Sequence, residues 1–263
     1  MLFKEKRREA AIKKELLLAE KQEEKLAAAA ARREGGSWKS GLEKRIPEKV
    51  YAGLQSAFCK GFVLLFDRGR GVIEKSYDRD NLIADQNIRD YAFQLKGRRR
   101  ELKQLHKSAR QSGLANMTMT TLEGIGLGAL GIGMPDIVLF LGTLLRGIYE
   151  TALSYGFDYQ DRGEQLLILK MMAAALSSGE DWQRQNSEVE AMICGESAAF
   201  DEDEFRAQMN ATASAFALDM LLLKFIQGIP VIGLVGGAAN PVYYKKVMQY
   251  VQLKYKKRYL LSL

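Results

Sequence analysis

The side chains with the greatest chemical potential in this sequence are one histidine and two cysteines. His106 is the only histidine among 263 residues, and it lies within a run of lysines and arginines. A Ser-His-acid triad or a histidine-rich metal site needs a different setting, so we predict that His106 is not catalytic. Cys59 and Cys194 are too few and too far apart to indicate a disulfide scaffold or a CxxC metal site. They favour a reducing compartment and predict no bound metal.

The glycines of residues 124–133 invite comparison with a nucleotide-binding loop. Glycine recurs there at every second or third position, but the spacing of Gly124, Gly126 and Gly128 does not fit GxGxxG. No β-strand pattern precedes them, and the sequence contains no Walker P-loop, HExxH, GxSxG or EF-hand pattern. No pair of carboxylates has a spacing that forces both onto one site. We therefore predict a non-enzymatic protein without a cofactor.

Positive charge is the remaining chemical feature. The 39 lysines and arginines exceed the 32 acids, giving a formal net charge of +7, which suits phospholipid headgroups, nucleic acid or an acidic protein. One basic run occupies residues 96–110, with Glu101 as its only acid. The run is compatible with a solvated helix face, an anionic-lipid contact or a nucleic-acid site. No recognised nucleic-acid module surrounds it, which disfavours nucleic acid as the partner.

A second concentration of positive charge follows Asn240 and alternates with tyrosines. Tyrosine and lysine are both favoured in the headgroup zone of a membrane, where a ring meets the apolar boundary and an amine meets phosphate. The pattern predicts contact with a membrane or another anion, although tyrosines and lysines also line ordinary amphipathic helices. The predicted contact residues are Lys245, Lys246, Lys254, Lys256, Lys257 and Arg258.

The elements that must position these cations begin with a charged N-terminal stretch. Residues 1–34 are good helix formers, with many opposite charges three or four residues apart, so they predict a helix. Its apolar positions do not hold a heptad for long, which favours a solvated or frayed arm over a coiled coil. We expect a charged helical arm and linker at 1–37 and a helical domain at 38–263. The charged start also lacks the apolar region of a secretory signal, which favours a cytoplasmic location.

The first apolar segment spans residues 124–145 and contains one charged residue, Asp136. Pro135 suits the first turn of a helix, and Asp136 suits the positive end of its dipole. The segment therefore predicts two helical pieces joined at Pro135, forming a buried or shallowly inserted hairpin. A packed glycine-rich interior of a soluble bundle and a transmembrane helix are the alternatives. Downstream, Gly156 predicts the end of the second helix.

The second apolar segment spans residues 225–239 and is also rich in glycine, with one proline. It is too short to cross a bilayer comfortably, so we expect it to pack against the first segment or to enter the membrane interface with it. A core stripe is predicted upstream, where Tyr51, Leu54, Phe58, Phe62 and Leu65 recur at helical spacing. Together these patterns predict an all-α helical bundle with two glycine-rich apolar helical hairpin segments and a charged N-terminal arm.

The order of these glycines, prolines and polar residues resembles the signature of the EcsC family. The resemblance covers roughly residues 45–263 and implies a bacterial, helical protein in a family named for a companion of an ABC transporter. It implies no established reaction, cofactor or catalytic residue, and it leaves the charged arm outside the family domain. The residues that carry it are Gly126, Gly128, Gly133, Pro135, Asp136, Arg146, Tyr155, Gly156, Asp158, Pro230, Gly233, Gly237 and Asn240.

These observations lead to one principal functional hypothesis and one alternative. The principal hypothesis is a membrane-associated accessory or scaffold protein at the inner face of the cell membrane. Its partners would be an anionic membrane surface and an integral membrane transporter. The alternative is a soluble helical domain that binds a lipid or another hydrophobic ligand between the glycine-rich segments.

Overall fold

The computed structural model of the chain has an all-α fold, as predicted. It describes residues 2–34, 46–112, 135–196, 200–227 and 239–263. Helices make up 88% of the structure, and no strand occurs among these described residues. The glycine-rich residues 124–133 and most of the second apolar segment lie outside the described residues, so the hairpins predicted there stay predictions.

Two aspartates show why helices begin where they do. Asp78 and Asp161 accept hydrogen bonds from the backbone N–H groups of Asn81 and Glu164, which satisfies donors that a helix start leaves free. The first helices are α1 (Leu2–Glu34), α2 (Glu48–Leu64), α3 (Arg70–Glu74), α4 (Arg79–Lys96) and α5 (Arg99–Ser112), with a π-helical turn at Leu65–Gly69 between α2 and α3. The later helices are α6 (Pro135–Ser154), α7 (Arg162–Leu176), α8 (Gly179–Ile193), α9 (Glu202–Gln227) and α10 (Ala239–Leu261).

The centre of the bundle is formed by α6 and α7. α6 packs against α2, α4, α5 and α10, while α7 packs against α8, α9 and α10. Twelve of the 15 residues of α7 are buried, the pattern of a helix that is covered on every side. The predicted stripe of α2 joins this core, since Leu54, Phe58 and Phe62 are all buried.

By length and composition, one described stretch, Asp136–Ser154, would be able to cross a membrane. However, 83% of that stretch is buried within the bundle, which is the packing of a core helix. The helix begins at Pro135, as predicted, because proline fixes a helical φ and needs no hydrogen bond in the first turn.

The end of α6 is set by Gly156. Its φ of +83° lies in the left-handed region, and a Cβ at this position would lie 2.9 Å from Nε2 of Gln86. Glycine therefore allows both the turn and the close approach to α4. The predicted helix stop is confirmed, and it fixes Tyr155 at the buried C-terminal end of α6.

The charged N-terminal helix is part of the bundle and is not a solvated arm. α1 packs against α10, α8 and α5, and it buries Ala11, Ala19 and Ala30. The carboxylate of Glu15 is also buried, and ion pairs with Arg99 of α5 and Lys256 of α10 offset the cost of burying its charge. The predicted solvated arm is therefore wrong. The packed face of α1 combines small alanines and paired glutamates with the partly buried Ile12, Leu16 and Leu26, so large apolar residues do not form a continuous stripe along it.

α6 and α10 run side by side in the same direction. Gly147 of α6 lies against Tyr244 near the start of α10, and Tyr155 lies near Tyr259 toward its end, with ring centroids 5.8 Å apart. The two helices therefore begin at the same end of the bundle.

The end of α9 lies beside the start of α10. Tyr243 donates a hydrogen bond of 2.9 Å to the backbone oxygen of Asp219, and Lys246 donates one of 2.8 Å to its carboxylate. The starts of α6 and α10 and the end of α9 therefore share one end of the bundle, which we call the junction end. Residues 124–133 precede α6, and residues 228–238 connect α9 to α10. Both glycine-rich apolar sequences thus join the described helices at the junction end.

Candidate functional site

Two of the cations predicted to contact a membrane form an internal network. The Lys254 side chain is fully buried, and its Nζ donates to Glu23 at 2.6 Å and also to Glu190. Lys257 bridges the same carboxylates, at 2.9 Å from Glu23 and 2.5 Å from Glu190. These contacts join α1, α8 and α10.

The charges of this network stabilise one another. Burial alone would raise the pKa of Glu23, but the charge of Lys254 and hydrogen bonds from Lys254 and Lys257 lower that pKa to about 2. Burial opposes the charge of Lys257 as well, yet its hydrogen bonds to Glu190 and Glu23 raise its pKa. The charges of this network are therefore paired with one another inside the bundle, which leaves them unavailable to an outside partner.

Two further cations of α10 form ion pairs with carboxylates of other helices. Lys256 Nζ lies 2.7 Å from Glu15 Oε2 of α1. Arg258 Nη1 lies 2.6 Å from Glu164 Oε2 of α7, and its guanidinium is 4.0 Å from the ring centroid of Phe157. Both cations stabilise the packing of α10 within the bundle.

The predicted membrane contact is wrong for Lys254, whose side chain has no exposed surface. Contact with a membrane is also disfavoured for four other cations, because each is paired with a carboxylate and none is more than 24% exposed. These cations are Lys246, Lys256, Lys257 and Arg258. Lys245 is exposed, and its contact stays a prediction. The acids that pair with these cations come from distant parts of the chain, so the local pattern of α10 could not indicate the pairing.

The described residues of the EcsC-like signature have structural contacts. Arg146 Nε donates to Oε1 of Glu150 at 2.9 Å, and both side chains are largely buried in α6. Asp158 accepts a hydrogen bond of 3.0 Å from the backbone N–H of Gln160 and stabilises the turn after α6.

The remaining signature residues divide into two groups. Pro135 and Asn240 lie in the first turns of α6 and α10, and Asp136 is exposed in the first turn of α6. Gly126, Gly128, Gly133, Pro230, Gly233 and Gly237 lie outside the described residues.

The basic run at residues 96–110 contributes several cations to a cleft on the surface of the bundle. The spacing of four and three residues places Lys103, Lys107 and Arg110 on one face of α5. All three side chains are exposed. No ion pair engages them within the described part of the chain. They line a cleft of about 480 Å³ between α1, α5 and α10, which we call the basic cleft. The polar side chains along it include Gln22, Lys103, Lys107, Arg110, Gln249 and Gln252.

The floor of the basic cleft contains His106, Tyr155 and the ion pair of Glu15 with Lys256. His106 is buried, and its Nδ1 lies 3.2 Å from the hydroxyl of Tyr155. Burial lowers the pKa of His106 to about 3, and the charge of Lys256 acts in the same direction against the opposing effect of Glu15. His106 is therefore neutral at physiological pH.

The two ring nitrogens of neutral His106 differ in their partners. Burial raises the pKa of Tyr155, so the tyrosine keeps its hydroxyl proton. The hydroxyl and Nδ1 share this hydrogen bond in either tautomer, with Nδ1 accepting when the ring proton is on Nε2 and donating when it is on Nδ1. Nε2 has no hydrogen-bond partner among the described residues, since Glu15 Oε2 is 3.9 Å away. The floor thus contains one ring nitrogen that has no partner among the described residues.

This arrangement is suited to binding an anion. Lysine, arginine and glutamine side chains line the cleft, and Glu15, the one carboxylate among its described lining residues, is already paired with Lys256 and with Arg99 at 2.7 Å. Among the described residues, no group of histidine, cysteine and acidic side chains could hold a metal ion. The sequence indicated the cations of the cleft, but it did not indicate that α1 and α10 would complete it.

Comparison with known proteins identifies the family. The profile of the EcsC protein family matches residues 10–260. The match begins inside α1 and crosses the boundary expected at residue 37, consistent with the packing of α1 on the bundle. No curated protein and no solved structure matches the chain. Because the family profile covers nearly the whole sequence, the chain belongs to the EcsC protein family.

Proposed function

We propose that this chain is a non-enzymatic accessory or scaffold protein that associates with the cytoplasmic face of a membrane. The observation that carries the proposal is the position of the junction end. Both glycine-rich apolar sequences join the described helices there, although more than 80 residues separate them in the chain. Two apolar attachments on one side of a rigid bundle can engage the same surface together.

The composition of these sequences supports a membrane as that surface. Residues 124–133 and 228–238 contain no charged side chain. Transfer of such an apolar sequence from water to the membrane interface is favourable, and the free energy released is roughly proportional to the apolar area removed from water. Attachment at one end would leave the rest of the bundle free to contact an integral membrane protein. A transporter is the partner suggested by the name of the family.

Electrostatic attraction would come from cations other than those first predicted. Lys103, Lys107 and Arg110 are exposed and have no ion pair within the described chain, in contrast to the paired cations of α10. The cleft lies toward Tyr155, away from the junction end, so these cations would attract an anionic surface from a distance. Cations at such a surface contribute on the order of 1 kcal/mol each, and salt screens the smaller contribution of more distant ones. Binding is thus expected to have an apolar part that resists salt and an electrostatic part that does not.

The test is flotation of the purified full-length chain with vesicles. Phosphatidylcholine vesicles with and without phosphatidylglycerol are compared at low and high salt. We expect flotation in all four conditions, strongest with phosphatidylglycerol at low salt. Flotation that salt abolishes would retain peripheral association and remove the apolar contribution. Absence of flotation in every condition would contradict the proposal and favour a soluble protein that binds a hydrophobic ligand.

A further inference from the structure

We infer that the basic cleft is a binding site for a small phosphomonoester. The cleft lies between α1, α5 and α10, and its volume of about 480 Å³ falls in the range of small-molecule sites. This site is separate from the apolar sequences of the proposed function, and it can be occupied without a membrane.

Charge is the first argument for this ligand. Lys103, Lys107, Arg110 and Lys256 contribute four positive charges to the cleft, and Glu15 contributes one negative charge, so the excess is three. His106 adds no charge because it is neutral. A phosphomonoester carries about 1.5 to 2 negative charges at neutral pH, which this excess can accommodate.

The directions of the donors are the second argument. α5 supplies the three exposed cations, while Gln22 of α1 and Gln249 and Gln252 of α10 approach from the other walls. A phosphate group has three terminal oxygens that accept hydrogen bonds from several directions, whereas a carboxylate accepts in one plane. Donors on three walls therefore favour phosphate over carboxylate.

The floor and the size of the cleft restrict the rest of the ligand. The floor contains Nε2 of His106, which has no partner among the described residues and can donate to an anionic oxygen when it carries the ring proton. Tyr155 is buried beneath the cleft, so the described lining of the cleft offers no exposed aromatic ring on which a nucleobase could stack. The organic part is therefore a small polar group such as glycerol, either free or as the headgroup portion of a lipid.

The experiment uses the single histidine as a reporter. Because His106 is the only histidine in the chain, the ring signals of His106 report directly on the cleft floor in NMR spectra of the full-length protein. Glycerol 3-phosphate is titrated first, and inorganic phosphate and glycerol are titrated separately. We expect saturable shifts with glycerol 3-phosphate, weaker shifts with inorganic phosphate and none with glycerol.

A charge-matched pair of variants tests whether the cations carry the binding. The variant K103Q/K107Q/R110Q removes the exposed cations of the cleft. The control K13Q/K14Q/K21Q removes three exposed lysines elsewhere on α1. We expect the first variant to weaken glycerol 3-phosphate binding by at least about tenfold, as loss of charge-assisted hydrogen bonds requires. The control should bind like the original protein, and circular dichroism establishes that both variants are folded.

Vesicles distinguish a lipid from a free compound. Phosphatidic acid carries a phosphomonoester and phosphatidylglycerol carries a diester, so vesicles of each are compared by flotation with the same variants. Cation-dependent binding to phosphatidic acid alone identifies a lipid headgroup, and binding of the soluble probes alone identifies a free compound. Absence of cation-dependent binding to every probe overturns the inference. Flotation that does not depend on the three cations, together with no cation-dependent binding of the soluble probes, would leave the proposed membrane association intact and remove only the phosphate site.

Discussion

At the scale of single residues, Lys254 carries a charge inside the bundle because two carboxylates meet it there. Its side chain is fully buried between Glu23 and Glu190. Removing one partner from such a cluster leaves the other charges uncompensated, which typically costs about 3 kcal/mol or more. We expect Lys254→Met to lower the free energy of unfolding by about that amount. Urea denaturation monitored by circular dichroism measures the change.

The control for this prediction is Lys245→Met on the same helix. Lys245 is exposed, so its replacement should change the free energy of unfolding by no more than about 0.5 kcal/mol. Adding Glu23→Gln to Lys254→Met should recover part of the lost stability, because it removes one of the uncompensated charges. Equal stability of the two methionine variants would contradict the structural role of the buried network.

His106 gives the stability a pH dependence. Its pKa falls from an ordinary value of 6.5 to about 3 in the folded protein, chiefly because the ring is buried. Between these values the unfolded chain binds a proton that the folded chain does not, so lowering the pH favours unfolding. The contribution of His106 to the free energy of unfolding therefore falls as pH decreases from about 6.5 to about 3. Its slope is at most about 1.4 kcal/mol per pH unit.

The measurement compares the original protein with His106→Gln at several pH values in this window. Glutamine cannot take up the proton, so the difference in stability between the two proteins should shrink as the pH falls. Other acids titrate similarly in both proteins and contribute little to that difference. A difference that is constant from pH 6.5 to 4 would mean that the ring is not held neutral.

At the scale of helices, the contact between α6 and α10 depends on Gly147. A Cβ on this residue would collide with the hydroxyl of Tyr244 and approach Met248 Sδ to 3.4 Å. We expect Gly147→Ala to destabilise the protein by about 1–3 kcal/mol through overpacking. The matched control is Gly53→Ala in α2, where no described atom beyond the adjoining helix backbone lies within 4 Å of the added carbon. It should stabilise the protein by up to about 1 kcal/mol because alanine is the better helix former.

Thermal denaturation of the two alanine variants tests this prediction. The same chemical change should shift the melting temperature in opposite directions, downward for Gly147 and upward for Gly53. Equal shifts would contradict the close packing of α6 on α10.

At the scale of the whole molecule, the proposed membrane association predicts an orientation. Val242 and Leu261 are exposed apolar residues near opposite ends of α10, about 28 Å apart along the helix at 1.5 Å per residue. Val242 lies at the junction end. A fluorophore at Val242→Cys should be quenched by nitroxide lipids in vesicles that bind the protein, whereas a fluorophore at Leu261→Cys should not.

These labels are introduced in a background with Cys59→Ser and Cys194→Ser, because both native cysteines are free. Serine at position 59 preserves a donor for the hydrogen bond to Asn210. Stronger quenching at position 261 would reverse the proposed orientation. Equal quenching at both positions would contradict attachment through the junction end.

The sequence by itself determined the local features of this protein. The all-α fold, the start of α6 at Pro135, its stop at Gly156 and the buried stripe containing Phe58 and Phe62 all follow from patterns within a few residues. Such features depend on backbone dihedrals and helical periodicity, which neighbouring residues largely fix. The ordered signature likewise indicated the EcsC family before the profile match established it.

Only the tertiary structure decided which charges are available to a partner. The cations of α10 resemble a membrane-contact surface in sequence, yet Glu15, Glu23 and Glu164 pair with four of them from α1 and α7. The cations of α5 resemble an ordinary solvated helix face, yet α1 and α10 complete a cleft around them. Charge pairing acts through space over a few ångströms, and the partners are up to 241 residues apart in the chain. Periodicity along the sequence describes one helix at a time. Whether these cations are paired or exposed depends on how several helices pack together.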